Sequence, residues 1–139
     1  MTRLVPLLAR PSLLALALVL VPVACVAPAS TPGPAGTLAG RAEAGPVCPV
    51  ESVPPDPACA PRPVPGATVV VLDPDGREVV RATTDETGAF AVELPAGDYL
   101  VTGEPVEGLM GGAPPAVGAT VVAGTATEPV VLAYDTGIR

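Results

Sequence analysis

The chain has 139 residues, of which 20 are Pro and 15 are Gly, and seven Arg against fourteen Asp and Glu give it a net charge of −7. Lys, His, Trp, Asn and Gln are absent. We therefore expect no binding to nucleic acid, because neutralising a phosphate backbone requires many Lys and Arg. Nucleophilic catalysis lacks a His or Lys base, and zinc lacks its His ligands, so no enzyme, cofactor or metal site is expected.

Residues 1–24 are predicted to be a secretory signal peptide. Arg3 and Arg10 form the charged start, and an apolar run follows at residues 13–21. This run is far shorter than the ~20 residues of a membrane-spanning helix, which favours a cleaved signal over an anchor helix. The protein is therefore expected to be exported from a bacterial cell.

Two ways of processing this signal remain open. Residues 22–25, Pro-Val-Ala-Cys, resemble a bacterial lipobox that would lipidate Cys25, although position 22 usually holds an aliphatic residue. Cleavage after Ala29 would instead release a soluble secreted protein. The Cys count favours lipidation, because three Cys in an exported protein leave one thiol outside any pair. Cys48 and Cys59 would then form a disulfide in the oxidising compartment.

Pro-rich segments flank the start of the predicted domain, which spans residues 37–139. Residues 25–36 are predicted to be an extended Pro/Ala/Gly-rich tether of ~30 Å. Residues 45–66 contain so many Pro that we expect a long loop, because Pro cannot donate to a strand ladder. A Cys48–Cys59 bridge in this loop would stabilise a small domain by about 3 kcal/mol.

Short β-rich runs alternate with turns through the rest of the chain. Asp75-Gly76 is predicted to supply the positive φ values of a hairpin turn, and alternation places Val130, Leu132 and Tyr134 on one face. No segment after the signal has a helical period. About seven strands at short intervals predict an all-β, seven-stranded antiparallel β-sandwich. The predicted strands cover 37–43, 67–72, 78–84, 89–94, 99–102, 117–123 and 127–134.

Two motifs carry a family resemblance. Thr84-Asp85-x-x-Gly88-x-Phe90 is followed by Pro95-x-Gly97-x-Tyr99, and their order and spacing resemble the carboxypeptidase regulatory-like domain. The resemblance implies a transthyretin-like (prealbumin-like) Greek-key sandwich that accompanies other modules and is not itself a catalyst. It covers roughly residues 36–134, and the Pro-rich loop is not a standard part of the family.

The motif residues also have structural explanations. Gly88 permits a tight turn, and Asp85 can accept hydrogen bonds from turn amides. Phe90 and Tyr99 are expected to supply most of the aromatic volume of the core. The Tyr99 hydroxyl either bonds a nearby backbone group, as in a tyrosine corner, or belongs to a simple core aromatic; both readings stay open.

Calcium is the one ion that the acidic residues leave open. Asp73, Asp75, Asp85 and Glu86 occur in two turns that could lie at one end of the sandwich, and carboxylate oxygens suit calcium. Their spacing is not that of an EF-hand, and acidic residues are common in turns. Solvated turn carboxylates are therefore the main expectation.

Together these patterns predict a non-catalytic, exported β-sandwich lipoprotein with a structural or protein-interaction role at the cell envelope. Its partners would be envelope proteins, reached through an open sheet edge, and the membrane, reached through Cys25. The alternative is a ligand-binding module for a glycan or a small apolar molecule. A concave apolar pocket would favour that alternative, whereas a filled core with an exposed sheet edge would favour protein contacts.

Overall fold

The structure is a computed structural model that describes residues 33–139. The predicted signal peptide, Cys25 and most of the predicted tether lie outside the described residues. Between residues 33 and 139 no helix is long and apolar enough to cross a membrane. The helical content of this region is one short 3-10 turn, Pro57–Cys59, as expected for an all-β domain.

Eight strands follow in chain order, one more than predicted. They are β1 (Ala35–Gly45), β2 (Arg62–Pro63), β3 (Thr68–Leu72), β4 (Glu78–Thr83), β5 (Ala89–Pro95), β6 (Gly97–Gly103), β7 (Val117–Val121) and β8 (Val130–Asp135). The first strand begins two residues before the predicted start of the domain. The additional strand is β2, which pairs only with the end of β1 inside the segment predicted as a loop. Pro63 fits there because a short strand at the edge of a sheet tolerates a missing donor.

The strands form two sheets. One has the order β4-β3-β6-β7 and is antiparallel throughout. In the other, the 11-residue β1 pairs with β5 and β2 along one side and with β8 along the other. The connections β2–β3, β4–β5, β5–β6 and β7–β8 pass between the sheets, and β3 pairs with the distant β6. This is the Greek-key topology predicted for a transthyretin-like sandwich.

One pair departs from the predicted antiparallel arrangement, because β8 runs parallel to β1. The β7–β8 connection explains the direction, since it lies along β1 before β8 begins. Thr37 N–H donates to Thr125 O at 2.9 Å, and Thr127 N–H donates to Thr37 O at 2.9 Å. These bonds bring the chain alongside β1 in the same direction, a long-range effect that local alternation cannot predict.

The hairpin between β3 and β4 also differs in detail from the expectation. Asp73 N–H donates to Arg77 O at 2.8 Å and Gly76 N–H donates to Asp73 O at 2.9 Å, which encloses a three-residue loop. Gly76 has a φ of 82°, whereas Asp75 has a negative φ. The prediction was therefore wrong for Asp75, because a loop of this kind needs the left-handed conformation only at its last residue.

The core fills the space between the two sheets. Val130, Leu132 and Tyr134 of β8 are buried on one face, as predicted. They pack in one cluster with side chains of the other strands, and each fully buried aliphatic side chain contributes about 1.5–3 kcal/mol. The completely buried members from β1, β3 and β6 are Leu38, Val69, Val71 and Val101.

Glycines make room for two aromatic side chains of the core. The Phe90 ring lies over Gly40, and the Tyr134 ring lies over Gly103, where an added Cβ would overlap the tyrosine. Tyr134 is 1% exposed, and its hydroxyl donates to a backbone carbonyl at 3.0 Å. Tyr134 is therefore the largest fully buried side chain, while Tyr99 is only half-buried. The expectation that Tyr99 is a main core aromatic was wrong.

Candidate functional site

The disulfide loop, residues 48–59, is ordered by its bridge rather than by burial. Cys48 and Cys59 are bonded as predicted, with 5.3 Å between their Cα atoms. Asp56 caps the 3-10 turn by accepting a backbone N–H at 2.9 Å. The loop surface is open, and Val53 is 99% exposed. The bridge therefore holds an exposed segment that has almost no apolar core of its own.

The first family motif ties the β2–β3 connection and β1 to the turn between β4 and β5. The Thr84 hydroxyl donates to Val64 O at 2.7 Å and accepts from Ala67 N–H at 2.8 Å, and Thr84 is 4% exposed. Four residues later, Gly88 O accepts from Ala42 N–H at 2.8 Å. A Cβ at Gly88 would lie 2.6 Å from Ala42 O. The motif is thus a junction that joins the β4–β5 turn to β1 and to the β2–β3 connection.

Asp85 organises the turn between β4 and β5. Its Oδ1 accepts from the Thr87 hydroxyl at 2.7 Å, from Thr87 N–H at 2.8 Å and from Ala89 N–H at 3.0 Å. The Thr87 hydroxyl and then the two amides lower the pKa of Asp85 from its ordinary 3.8. The predicted role of Asp85 as an acceptor for turn amides is confirmed.

The second family motif closes the turn between β5 and β6. The Tyr99 hydroxyl donates to Pro95 O at 2.8 Å, four residues upstream. This is the backbone contact of a tyrosine corner, the first of the two readings left open by the sequence. The half-buried Tyr99 ring packs against the edge of the core.

The acidic turns do not combine into a calcium site. Strand β4 separates Asp73 and Asp75 from Asp85 and Glu86, which places the two pairs at opposite ends of a strand about 20 Å long. Asp73 and Asp75 also pair with Arg77 in their own turn. Within residues 33–139, no three Asp, Glu or Cys side chains come together as metal ligands. The structure therefore does not support the calcium hypothesis.

Most Arg side chains of the described region are engaged within the chain. Four of its five Arg form exposed ion pairs. Arg81 pairs with Glu104, and the N–O distances of the other pairs are 2.7–3.6 Å; these are Arg41–Glu43, Arg77–Asp73, Arg77–Asp75, Arg81–Glu78 and Arg139–Asp135. Bonding to Arg139 and to the Gly137 amide lowers the pKa of Asp135 to about 2. Fourteen acids remain against five Arg, so a binding partner of complementary charge would be basic.

In the sheet β4-β3-β6-β7, the two edge strands β4 and β7 differ in charge. On β4, Arg81 pairs with Glu78 and Glu104. Strand β7 has no charged residue, and among residues 33–139 no backbone group bonds its outer side. Edge charges discourage the addition of a further strand, and β7 lacks them. In the other sheet, the edge strand β8 is also uncharged before Asp135. The amides of Met110 and Gly111 donate to the Asp135 carbonyl at the end of that strand.

A surface groove of about 470 Å³, here called the β7 groove, lies beside this edge and is lined by residues of β6 and β7 and by Pro74. Leu100 pairs with Gly118 across the strands, and Asp98 pairs with Thr120, so these four residues share the outer face. An added Cβ at Gly118 would meet no atom within 4 Å, which leaves room beside Leu100. The groove was not predicted, and its one sequence signal is an isolated Gly within a strand.

Solved structures resemble the chain at low sequence identity, and the β-sandwich fold is shared with the first of the two described here. A minor pilin of Streptococcus agalactiae is 16% identical, with a TM-score of 0.55 over 75% of this chain and 45% of the pilin. The chain thus spans less than half the length of that pilin. A Pseudomonas aeruginosa protein provisionally described as carbohydrate-binding is 19% identical, with a TM-score of 0.48 over 76% of this chain and 92% of that protein. No curated protein is a significant sequence relative.

A family model gives the more specific result. The carboxypeptidase regulatory-like domain matches residues 58–132, which is more than half of the chain. The matched range runs from the 3-10 turn into β8 and contains both motifs, the Thr84 to Phe90 junction and the Tyr99 corner. The resemblance seen in these motifs is confirmed, and the chain belongs to the carboxypeptidase regulatory-like domain family.

Proposed function

We propose that this protein is an exported, non-catalytic β-sandwich module that acts at the bacterial cell envelope through contacts with other proteins, anchored by lipidated Cys25. The observation that carries the proposal is the filled space between the sheets. Leu38, Val71 and Leu132 are 0% exposed, and Tyr134 is 1% exposed. A sandwich with a filled interior offers its surface and its sheet edges for binding.

A glycan or a small apolar ligand has less support. Sugar sites commonly use exposed aromatic rings, and all three aromatic residues of the chain have structural contacts. Phe90 and Tyr134 are buried, and the Tyr99 hydroxyl bonds Pro95 O. The β7 groove lies on the surface and does not enclose a ligand between the sheets.

The residue types of the chain support the non-catalytic role proposed here. The sequence has no His and no Lys to act as a base near neutral pH. The carboxylates with resolved pKa shifts, Glu78, Asp85 and Asp135, are all shifted downward. A general acid would need a raised pKa, and these groups have the opposite shift.

Export is supported by the disulfide as well as by the N-terminal pattern. The Cys48–Cys59 bond is the type of cross-link that persists in oxidising compartments outside the cytoplasm. With these two Cys bonded, Cys25 is the remaining thiol of the chain. Its position at the end of the apolar run is suited to lipidation.

Anchoring is tested by mass spectrometry of the mature protein and by cell fractionation. We expect an acylated Cys25 at the N-terminus and a protein in the membrane fraction. Cys25→Ser should abolish acylation, while the Cys48→Ser, Cys59→Ser double variant should keep it. A mature N-terminus at Ser30 would contradict the lipid anchor.

The role in protein contacts is tested by photocrosslinking in intact cells. Amine-reactive reagents are unsuitable because the chain has no Lys. A photoreactive residue is therefore introduced at one of three exposed positions: Val122 just after β7, Val79 on β4 or Val53 in the disulfide loop. We expect an adduct with at least one envelope protein. Recovery of the protein without adducts from all three positions, or tight binding of a glycan by the purified chain, would contradict the proposal.

A further inference from the structure

We infer that β7 and the β7 groove bind an extended segment of a partner protein, which adds to the sheet as a fifth strand. The segment places an aliphatic side chain in the space at Gly118 and a Lys or Arg beside Asp98. This inference rests on the proposed function and identifies the surface and the kind of partner.

The backbone of β7 supplies the first part of the site. Its five residues pair with β6 on one side, and among residues 33–139 nothing bonds the other side. Alternate residues of an edge strand direct their N–H and C=O groups outward, where an extended segment can pair with them. The strand carries no charge and no Pro, the features that natural edges use to prevent such pairing.

Gly118 supplies the second part. A segment added next to β7 would place one side chain beside Gly118 on the outer face. This position has open space where a Cβ would stand, and Leu100 on β6 lies directly across from it and is 38% exposed. Pro74 forms the far wall of the β7 groove. An aliphatic side chain would therefore cover Leu100 and fill the groove, which removes apolar surface from water.

Asp98 supplies the third part. Its carboxylate accepts from the Thr120 hydroxyl at 2.6 Å and has no Arg partner among the described residues. Thr120 is two residues from Gly118 on the same face. The added segment therefore presents a side chain toward Asp98 two positions from its aliphatic residue. A Lys or Arg there is long enough to reach across Thr120 and complement the carboxylate.

Charge favours a partner protein over a second copy of this chain. Residues 33–139 contain fourteen acids and five Arg, so two copies would carry the same large negative charge to the interface. Pairing β7 with β7 would also supply no basic residue for Asp98. The chain's own segment 26–34 has three Pro, which cannot donate to a ladder, and it has no Lys or Arg to complement Asp98.

The test measures binding of two labelled peptides to the full chain by fluorescence anisotropy. One has the sequence Thr-Val-Thr-Leu-Thr-Arg-Thr, and the other has Glu in place of Arg. We expect the Arg peptide to bind about tenfold more tightly, and Gly118→Leu to weaken its binding by about tenfold or more. Gly118→Leu has room to fold, and thermal melting checks this. Val79→Leu on the opposite edge is the matched control and should change affinity by less than about twofold.

Asp98→Asn isolates the contribution of the Asp98 charge to peptide binding, because Asn keeps an acceptor for the Thr120 hydroxyl. It should bring the two peptides to similar affinities and remove most of the salt dependence. Equal affinities for the unaltered protein, no effect of Gly118→Leu, or no binding at about millimolar peptide would each overturn the inference. So would a dimer in sedimentation velocity that Gly118→Leu dissociates, or an internal crosslink from Val122 to a residue before Gly33. Envelope adducts at Val53 but none at Val122 would leave the proposed function standing and overturn this site.

Discussion

Two turns of this sandwich share the sequence pattern Asp-x-x-Gly and the same backbone hydrogen bonds, but they have different surroundings. The β3–β4 turn is Asp73-Pro-Asp-Gly-Arg77, and the β4–β5 turn is Asp85-Glu-Thr-Gly-Ala89. In both, the Gly N–H donates to the Asp carbonyl, at 2.9 and 3.0 Å, and the Asp Oδ1 accepts from the last amide, at 2.8 and 3.0 Å. Gly76 and Gly88 both have positive φ, 82° and 78°.

The difference lies in what surrounds each glycine. An added Cβ at Gly76 would meet nothing within 4 Å, because the β3–β4 hairpin extends into solvent. At Gly88 it would lie 2.6 Å from Ala42 O and 3.1 Å from both Pro63 Cβ and Val64 N. The local Asp-x-x-Gly pattern therefore determines the turn, while tertiary contact determines which glycine is also required by packing. The family motif contains the second turn.

The largest effect is expected from Gly88→Ala. The left-handed conformation costs a residue with a Cβ about 1–2 kcal/mol, and the overlap with the Ala42 carbonyl adds about 1–3 kcal/mol. We expect a loss of about 3–4 kcal/mol in the free energy of unfolding, measured by urea denaturation. A loss below about 1.5 kcal/mol would show that β1 yields easily and that packing at this turn is not tight.

Thr84→Val tests the residue just before the second turn. Its counterpart before the first turn is Leu72, which has no hydroxyl. Removing the hydroxyl leaves Ala67 N–H and Val64 O without their side-chain partner in a buried setting, at a cost of about 1–3 kcal/mol. Thr84→Ser should recover most of this loss, whereas equal losses in both variants would assign the effect to packing of the methyl group.

Gly76→Ala is the matched partner of Gly88→Ala. Only the conformational cost applies, so the expected loss is about 1–2 kcal/mol in the same urea titration. The comparison depends on the ratio of the two losses. If Gly76→Ala costs as much as Gly88→Ala, the close approach at Ala42 contributes nothing and φ alone explains both turns.

The sequence predicts the local features of this sandwich well. Alternation identified the buried face of β8, with Leu132 and Tyr134 in the core, and the turn chemistry identified Asp85 as an acceptor. The Cys count and the expected oxidising compartment predicted the Cys48–Cys59 bond. Each of these features depends on neighbours within a strand, a turn or a short loop, so the pattern that determines it is visible in the sequence.

Features that depend on distant pairs could not be predicted. The parallel direction of β8 depends on bonds between Thr37 and the β7–β8 connection, which no local period records. The clash at Gly88 depends on Ala42, and the β7 groove depends on the pairing of Gly118 with Leu100. Gly118 alone left a sequence signal, but it does not show which side chain lies across from it.

The smallest effect, and one that separates the two aspartates, is expected from Asp85→Asn in a pH series. The folded-state pKa of Asp85 lies below its ordinary value of 3.8, so its ionised form stabilises the folded state above that value. This contribution is lost as pH falls through the folded pKa. The unaltered protein should therefore melt at a higher temperature than Asp85→Asn near neutral pH, and the difference should shrink as the pH falls below 3.8.

Asp73→Asn is the control. It should keep the part of the pH dependence of the melting temperature that Asp85 produces. Both variants keep the part that Asp135 produces, since the pKa of Asp135 is lowered to about 2. Asn at position 85 can accept the same hydrogen bonds from the turn amides. If the difference in melting temperature between the unaltered protein and Asp85→Asn does not change with pH, hydrogen-bond geometry rather than charge distinguishes the second turn from the first.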